Sequence, residues 1–317
     1  MYNRFEEIER SFAIGNTPLD QLAAPGSGNQ LFVKLEYANH TGSHYDRVYL
    51  HLLRQLEEGG KIIPGVTTLV ETTSGNAGAS CAFMARQLGY DCLIFVPENL
   101  PERRKDLIRR YGAKLRETAG EQYIQGSAAA MRQFLKDTSG EKVDGVRKYY
   151  SPNHSQVEAS CEAMTALASE ALSQAEGAFD CFIGAAGNGT TLKGIGRVLK
   201  SANQALHVIA FDPAESPVAY CLKYGQEVAE PFHQHGMYGA GAWGVTFPHL
   251  EEAVSQLVEE VRLVEDVQWQ KAQQELLLLG YAVGPTSAAS YFLACQYCET
   301  RSDKRVFIVF YDQSDRY

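Results

Sequence analysis

Two short stretches of the sequence gather glycines, hydroxyls and an amide where a strand pattern gives way to a helix pattern. In AAGNGTTLKG, residues 185–194, Gly187 and Gly189 let the backbone approach a ligand and turn several N–H groups toward one anion. Asn188 lies between the glycines, Thr190 and Thr191 add hydroxyl donors, Lys193 adds a charge, and the helix that follows adds the positive end of its dipole. That assembly suits a phosphate. Its spacing matches neither the P-loop pattern nor the dinucleotide fingerprint, which argues against a nucleoside triphosphate or NAD. An ordinary glycine-rich turn uses the same residue types, and this stretch alone leaves both readings open. In TTSGNAG, residues 72–78, the Thr73 and Ser74 hydroxyls, Gly75 and the Asn76 amide suit a carboxylate. A plain helix cap explains Ser74 or Asn76 singly, and less well their joint presence with two glycines.

Such turns need elements to hold them. Short β-rich runs alternate with amphipathic helical stretches almost end to end, the pattern of α/β domains with parallel sheets flanked by helices. After TGSHYDR, residues 41–47, Val48, Leu52, Leu53 and Leu56 share a helical face that Gly59 and Gly60 close. A strand TTLVE leads into TTSGNAG and a small-residue helix, followed by the strand CLIFV and the helix PERRKDLIRRYG. A second series runs from the helix VEASCEAMTALASEAL through the strand DCFIG, the 185–194 turn and the strand HVIAF. It continues through the glycine-rich GMYGAGAWG and the helix VQWQKAQQELLLLG to a last strand, VFIVFYD. Two α/β lobes with a cleft between them are the economical reading, with ligands at the carboxyl ends of strands.

Composition narrows the function classes. The 317 residues include 29 Lys and Arg against 38 Asp and Glu, a net charge of −9 that repels a polyphosphate backbone, so nucleic acid is not an expected partner. Arg103, Arg104 and Lys105 have acids nearby and read as a solvated helix face. No run reaches the roughly 18–20 apolar residues of a membrane span, and the charged start MYNRFEEIER lacks a secretory signal, so a cytoplasmic protein is expected. The seven cysteines follow no disulfide framework and read as buried free thiols. Cys295 and Cys298 form a CxxC in a helical context without a second ligand pair, and His233 and His235 lack an acidic or thiol companion; no metal site is expected.

The order and spacing of these motifs resemble the cysteine synthase and cystathionine β-synthase group of the tryptophan synthase β-like proteins, the fold type II pyridoxal phosphate enzymes. IGNTPLDQL is similar to the family's opening segment, VKLEYANHTGSHYDR to its cofactor-lysine segment and ETTSGNAG to its substrate-carboxylate loop. PENLPERRKDLIRRYGAKL resembles its mobile subdomain, GNGTTLKG its phosphate cup, IAFDPAESP the next strand and MYGAGAW, with Gly239, the loop lining the cofactor. GPTSAAS and YDQSDRY resemble the closing motifs. The resemblance implies a two-lobed fold: residues 36–148 as a smaller lobe containing the mobile subdomain, and 12–35 with 149–317 as a larger one. It also implies a homodimer, with Asn76 on the cofactor's ring oxygen, Thr73 and Ser74 on the carboxylate of a small amino acid, and Gly187, Asn188, Gly189, Thr190 and Thr191 on the phosphate.

One position departs from the pattern. Gly42, Ser43, His44, Asp46 and Arg47 keep their places, but Tyr45 stands where the family has its Schiff-base lysine. A phenol cannot form an imine, so pyridoxal phosphate is not anchored through residue 45. Tyr45 can assume only the lysine's second role, moving the α-carbon proton, and its ordinary pKa of about 10 is poorly matched to that unless a neighbouring cation lowers it. His44 either pairs with the phosphate or with Tyr45, or is a packed histidine. Asp312 falls where the cysteine synthase branch has a serine near the pyridine nitrogen, and either keeps that nitrogen protonated or caps a strand end. Ala77 lacks the hydroxyl often found in the carboxylate loop, and Tyr149 stands near the usual glutamine of the substrate site. Lys34, in a strand pattern, and Lys193, beside the cup, are not placed to reach the aldehyde. Two readings follow. In the first, the protein binds pyridoxal phosphate or its amino-acid adduct noncovalently and acts at the β-carbon of a small amino acid, by elimination or replacement. In the second, it is a non-catalytic regulatory or assembly subunit, or its pocket serves another phosphorylated or carboxylated metabolite.

Overall fold

Parallel strands require long return connections, and the sequence supplies a helix in nearly every one. The computed structural model describes residues 3–73, 75–227, 235–241, 245 and 247–317. In chain order its elements begin with α1 (Arg4–Ser11), β1 (Leu19–Leu22), β2 (Gln30–Leu35), α2 (Tyr45–Glu58), β3 (Thr68–Thr72), α3 (Asn76–Leu88), β4 (Asp91–Pro97) and α4 (Glu102–Arg110). They continue with β5 (Lys114–Thr118), α5 (Tyr123–Asp137), β6 (Lys142–Val143), β7 (Val146–Arg147), β8 (Tyr149–Tyr150), α6 (Glu158–Gln174), β9 (Cys181–Ala185) and α7 (Thr190–Ala202). The remainder are β10 (His207–Pro213), α8 (Val218–Tyr224), α9 (Pro248–Gln256), β11 (Glu260–Val264), α10 (Asp266–Leu278), α11 (Pro285–Glu299) and β12 (Arg305–Phe310). Among the described residues, no helix is long and apolar enough to cross a membrane.

The chain divides into two units. The first comprises Met1–Gly15, Asn39–His154 and Arg316–Tyr317. Its four-stranded sheet has the order β5-β4-β3-β8 and is parallel throughout. The expected face of α2 is found: Val48, Leu52 and Leu53 are buried, and Tyr49 and Leu53 join Phe83, Met84, Ile94 and Ile108 in one apolar cluster. Tyr45 and Tyr150 pack against that cluster from its margin. Tyr149 instead packs with Val70, Phe95 and Met131 on a second, smaller cluster.

The second unit comprises Asn16–Ala38 and Ser155–Asp315, with a six-stranded sheet of order β1-β2-β12-β9-β10-β11. All its pairings are parallel except the β1–β2 hairpin at the edge. Strand β9 is buried along its whole length, as continuous apolar runs in covered parallel sheets require. Phe179 and Phe307 stack with ring centroids 4.8 Å apart in this core.

The basic run on α4 is a correction. Arg103 is exposed, but Arg104 and Lys105 are each only 4% exposed. Lys105 Nζ donates to the Glu98 carbonyl at 2.8 Å and pairs with Glu117 at 3.1 Å, while the Arg104 guanidinium lies 4.5 Å from the centre of the Tyr317 ring. Long basic side chains can bury their stems and still find partners, which a count of neighbouring charges does not reveal.

Candidate functional site

In the second unit, β9 runs directly into the glycine turn. Gly189 caps α7 at φ +87°, a conformation costly for any side chain, and a Cβ there would collide with the backbone of Leu250. A Cβ on Gly187 would lie 2.5 Å from the Gly239 carbonyl oxygen, so the two loops touch through backbone. Asn188 Oδ1 accepts the Thr190 N–H at 3.1 Å and the Thr190 hydroxyl at 2.7 Å. That hydroxyl is therefore turned inward, while Thr191 stays half-buried at the helix start. The first helical bond runs from Lys193 N–H to the Gly189 carbonyl, leaving earlier amides of the turn without intrahelical partners. A glycine-lined cradle of amides at a helix N-terminus fits a phosphate group.

Lys193 does not contribute its charge to that cradle. Its ammonium is 2.5 Å from Glu158, 2.7 Å from Glu252 and 3.2 Å from His249 Nδ1. Burial opposes its charge, but the two carboxylates outweigh it and hold its pKa above the ordinary value. Glu158, Cys161 and His249 place ligand atoms within 4.8 Å of one another. The cation among them is the lysine itself. Lys34 is equally committed: its fully buried ammonium meets the Thr17 carbonyl at 2.6 Å, Gln174 at 2.8 Å and Glu170 at 3.0 Å. Asp312 follows β12, is 2% exposed, and accepts the Gly284 N–H through its carbonyl at 3.0 Å.

In the first unit the 41–47 turn is held by Asp46, fully buried, which accepts the Thr41 N–H at 2.7 Å and the Thr41 hydroxyl at 2.5 Å. Burial raises its pKa, against the hydrogen bonds from Thr41 and Ser80. Tyr45 is the first residue of α2 and is half-buried. Its ring lies 4.3 Å from that of His44 and 5.5 Å from that of His154, the latter edge to face. Ser43 Oγ is buried and has no hydrogen-bond partner among the described residues, an orphaned hydroxyl two positions from the departure.

Asn76 opens α3, and its Oδ1 accepts from Arg316 Nη1 at 2.7 Å. Arg316 also donates to the Thr41 carbonyl and lies against Gly42. It therefore ties the Asn76 turn to the 41–47 turn and fixes which end of the amide faces the guanidinium. Thr73 Oγ1 accepts the Gly75 N–H at 3.1 Å; Ser74, like His233, lies outside the described residues. Tyr149 pairs with Thr68 in the sheet, and its ring packs on Phe134 of α5 at 4.9 Å. Glu71, His154 and Arg316 drew no attention in the sequence. Glu71 and His154 are 83 positions apart, and only the pairing of β3 with β8 brings them to 3.2 Å. For pyridoxal phosphate, the anion cradle of the second unit fits the phosphate group, whereas the Tyr45 phenol of the first can form no imine.

A family model described as pyridoxal-phosphate dependent enzyme matches residues 10–312. The chain is 31% identical over 309 residues to a cysteine synthase of Staphylococcus aureus (strain Mu50 / ATCC 700699), covering 96% of this chain and 93% of the relative. Among solved structures it is similar to a cysteine synthase from Entamoeba histolytica, with TM-score 0.84, 25% identity, and coverage of 100% of this chain and 89% of that one. A hydrogen sulfide-producing enzyme from Fusobacterium nucleatum aligns with TM-score 0.83 and 26% identity, covering 99% and 90% of the two chains. With its parallel sheets and its glycine-built turn at the start of α7, the chain belongs to the pyridoxal-phosphate dependent enzymes, whose cofactor is pyridoxal phosphate.

Proposed function

We propose that this protein holds pyridoxal phosphate noncovalently and uses it at the β-carbon of a small amino acid, by elimination or replacement, with Tyr45 in place of the anchoring lysine. The observation that carries the reading is a glycine-built anion cradle at the start of α7 in a chain whose residue 45 has no amine. Gly187, Asn188, Gly189, Thr190 and Thr191 hold the phosphate through backbone amides and the remaining hydroxyl. Asn76, steered by Arg316, faces the ring oxygen, Asp312 keeps the ring nitrogen protonated, and Gly239, in the loop lining the cofactor, stands with the substrate contacts. Thr73, Ser74 and Gly75 take the substrate carboxylate, and Tyr149 stands with the substrate contacts. When bound, the cofactor supplies an electron sink for the α-carbon of the amino acid. Tyr45, with His44 against its ring, moves the α-carbon proton. The cradle holds by contacts alone, so loading is slower than in an anchored enzyme, and affinity rests on the phosphate. The working form is a cytoplasmic homodimer.

A titration of visible absorbance with pyridoxal phosphate, with and without amino acids, tests this. The expected result is saturable binding, a colour change with one small amino acid, and no lysine adduct after borohydride reduction and mass spectrometry. Absence of binding at millimolar cofactor would sink the reading and favour a scaffold subunit, in which Tyr45 serves as packing on the α2 cluster. The Tyr45→Lys variant is expected to gain a borohydride-trappable cofactor.

A further inference from the structure

Glu71, in β3, is 2% exposed, yet among the described residues its ion-pair partner is a histidine. Its carboxylate accepts the Thr72 N–H at 3.3 Å and the His154 N–H at 3.2 Å, and its Oε2 lies 3.2 Å from His154 Nδ1. Tyr49 Oη lies 3.0 Å from the same nitrogen. Either Tyr49 Oη donates to Nδ1 or Nδ1–H donates to Glu71, and because a bond to a carboxylate is charge-assisted and stronger, a proton between Oε2 and Nδ1 is favoured. With Glu71 ionised that proton is on Nδ1, and Nε2 is left as the basic nitrogen. Burying both groups costs free energy that an apolar pair would avoid, so mutual satisfaction alone is a weak reason for the pair. What it packs against is the ring of Tyr45, 5.5 Å from the imidazole centroid at 86°.

We propose that Glu71 and His154 form a carboxylate–imidazole pair that takes up and returns the proton handled by Tyr45. The proposal rests on the function proposed above and supplies the base that a phenol lacks. With cofactor and amino acid bound, Tyr45 Oη would take the α-carbon proton while its own proton would pass to the His154 imidazole, whose ring it meets edge to face. The electron pair of the broken C–H bond would remain on the amino acid, for which the bound cofactor would supply the electron sink, and the imidazolium would be stabilised against Glu71. Reverse transfer restores every group. His154 is thus a positioning residue acting through Tyr45. The titratable groups around it are Glu71 from β3 and Tyr45 and Tyr49 from α2, with Cys81 of α3 and Cys92 of β4 beside Tyr49. Burial, then Glu71, pushes the Tyr49 hydroxyl well above the ordinary tyrosine range, so it stays neutral and does not compete for the proton.

Two measurements test the pair. In the cofactor-free protein, nitrogen NMR is expected to find neutral His154 protonated on Nδ1, and Glu71→Gln is expected to lower its titration midpoint by roughly one pH unit. In the cofactor-loaded protein, deuterium exchange at the α-carbon of a bound amino acid is expected to follow the His154 midpoint in its pH profile. That profile should shift with Glu71→Gln and recover in Glu71→Asp. The His154→Gln variant should lose exchange by about 100-fold while its cofactor affinity stays within about threefold. A midpoint unmoved by Glu71→Gln, or exchange at the wild-type rate in cofactor-loaded His154→Gln, overturns the proposal. If the wild-type protein binds no cofactor, the functional reading fails instead, and the NMR titration alone decides whether the pair holds its proton as described.

Discussion

The 187–191 turn of the second unit and the 41–47 turn of the first are made differently, and so are the settings of two buried aspartates, Asp212 and Asp46. The 187–191 turn works through backbone: Gly189 at φ +87°, Gly187 against a carbonyl, and the amides of a helix start. The 41–47 turn presents side chains, with Asp46 tying down Thr41 so that Tyr45 opens α2. An anion site made of amides survives almost any change of neighbouring side chain, whereas a site whose chemistry is one amine is lost by one substitution. The aspartates differ likewise. Asp46 is doubly bonded to Thr41, while Asp212, fully buried at the end of β10, accepts from Tyr220 at 2.9 Å on one oxygen and has no partner among the described residues for the other.

The Asp212 contrast has the largest expected effect. Burial pushes its pKa up to about 7, with backbone hydrogen bonds from Tyr220 and Ala219 opposing. Between about pH 4 and 7 the folded protein then holds a proton that the unfolded chain has released, so stability falls as pH rises across that window, by on the order of 4 kcal/mol. The urea midpoint of Asp212→Asn is expected to be flat over this range while the wild type declines; parallel curves would show that Asp212 ionises at its ordinary pKa. Next, Gly189→Val places a side chain on the Leu250 backbone at a forbidden φ and is expected to weaken cofactor binding about 100-fold or more. Tyr45→Phe, by contrast, should change affinity less than about threefold while abolishing α-proton exchange. Equal affinity losses in the two variants would erase the distinction between a backbone site and a side-chain site.

Smaller effects sharpen the comparison. Asp46→Ala leaves the buried Thr41 N–H without its acceptor and is expected to cost about 2 kcal/mol in denaturant unfolding. Arg316→Ala removes one hydrogen bond that orients the Asn76 amide and should weaken cofactor binding about threefold, leaving inorganic phosphate affinity unchanged because the cradle is untouched. An equal loss for both ligands would assign Arg316 to general stability.

Much of the fold was legible because its signals are local. Glycine-rich turns between β-rich runs and helical stretches mark strand ends, and the face of α2 reads directly from the spacing of Val48, Leu52 and Leu53. The glycine turn at 187–191 and the phenol at residue 45 are equally local. Side-chain destinations were not legible. Lys193 looked like a cradle cation because it lies in the first turn of α7, but Glu158 and Glu252, 35 and 59 positions away, claim its charge. Arg104 and Lys105 looked solvated because their stems fold under partners that spacing does not show.

By itself, then, the order of residues determined the alternation of strands and helices, the backbone of the anion turn and the fact that residue 45, a phenol, can form no imine. Tertiary structure alone decided that Glu71 meets His154 beneath Tyr45 and that Arg316 reaches Asn76. The reason is physical: backbone conformation answers to neighbours a few residues away, whereas ion pairs and hydrogen bonds between side chains form wherever strand pairing and packing bring distant segments within about 3 Å.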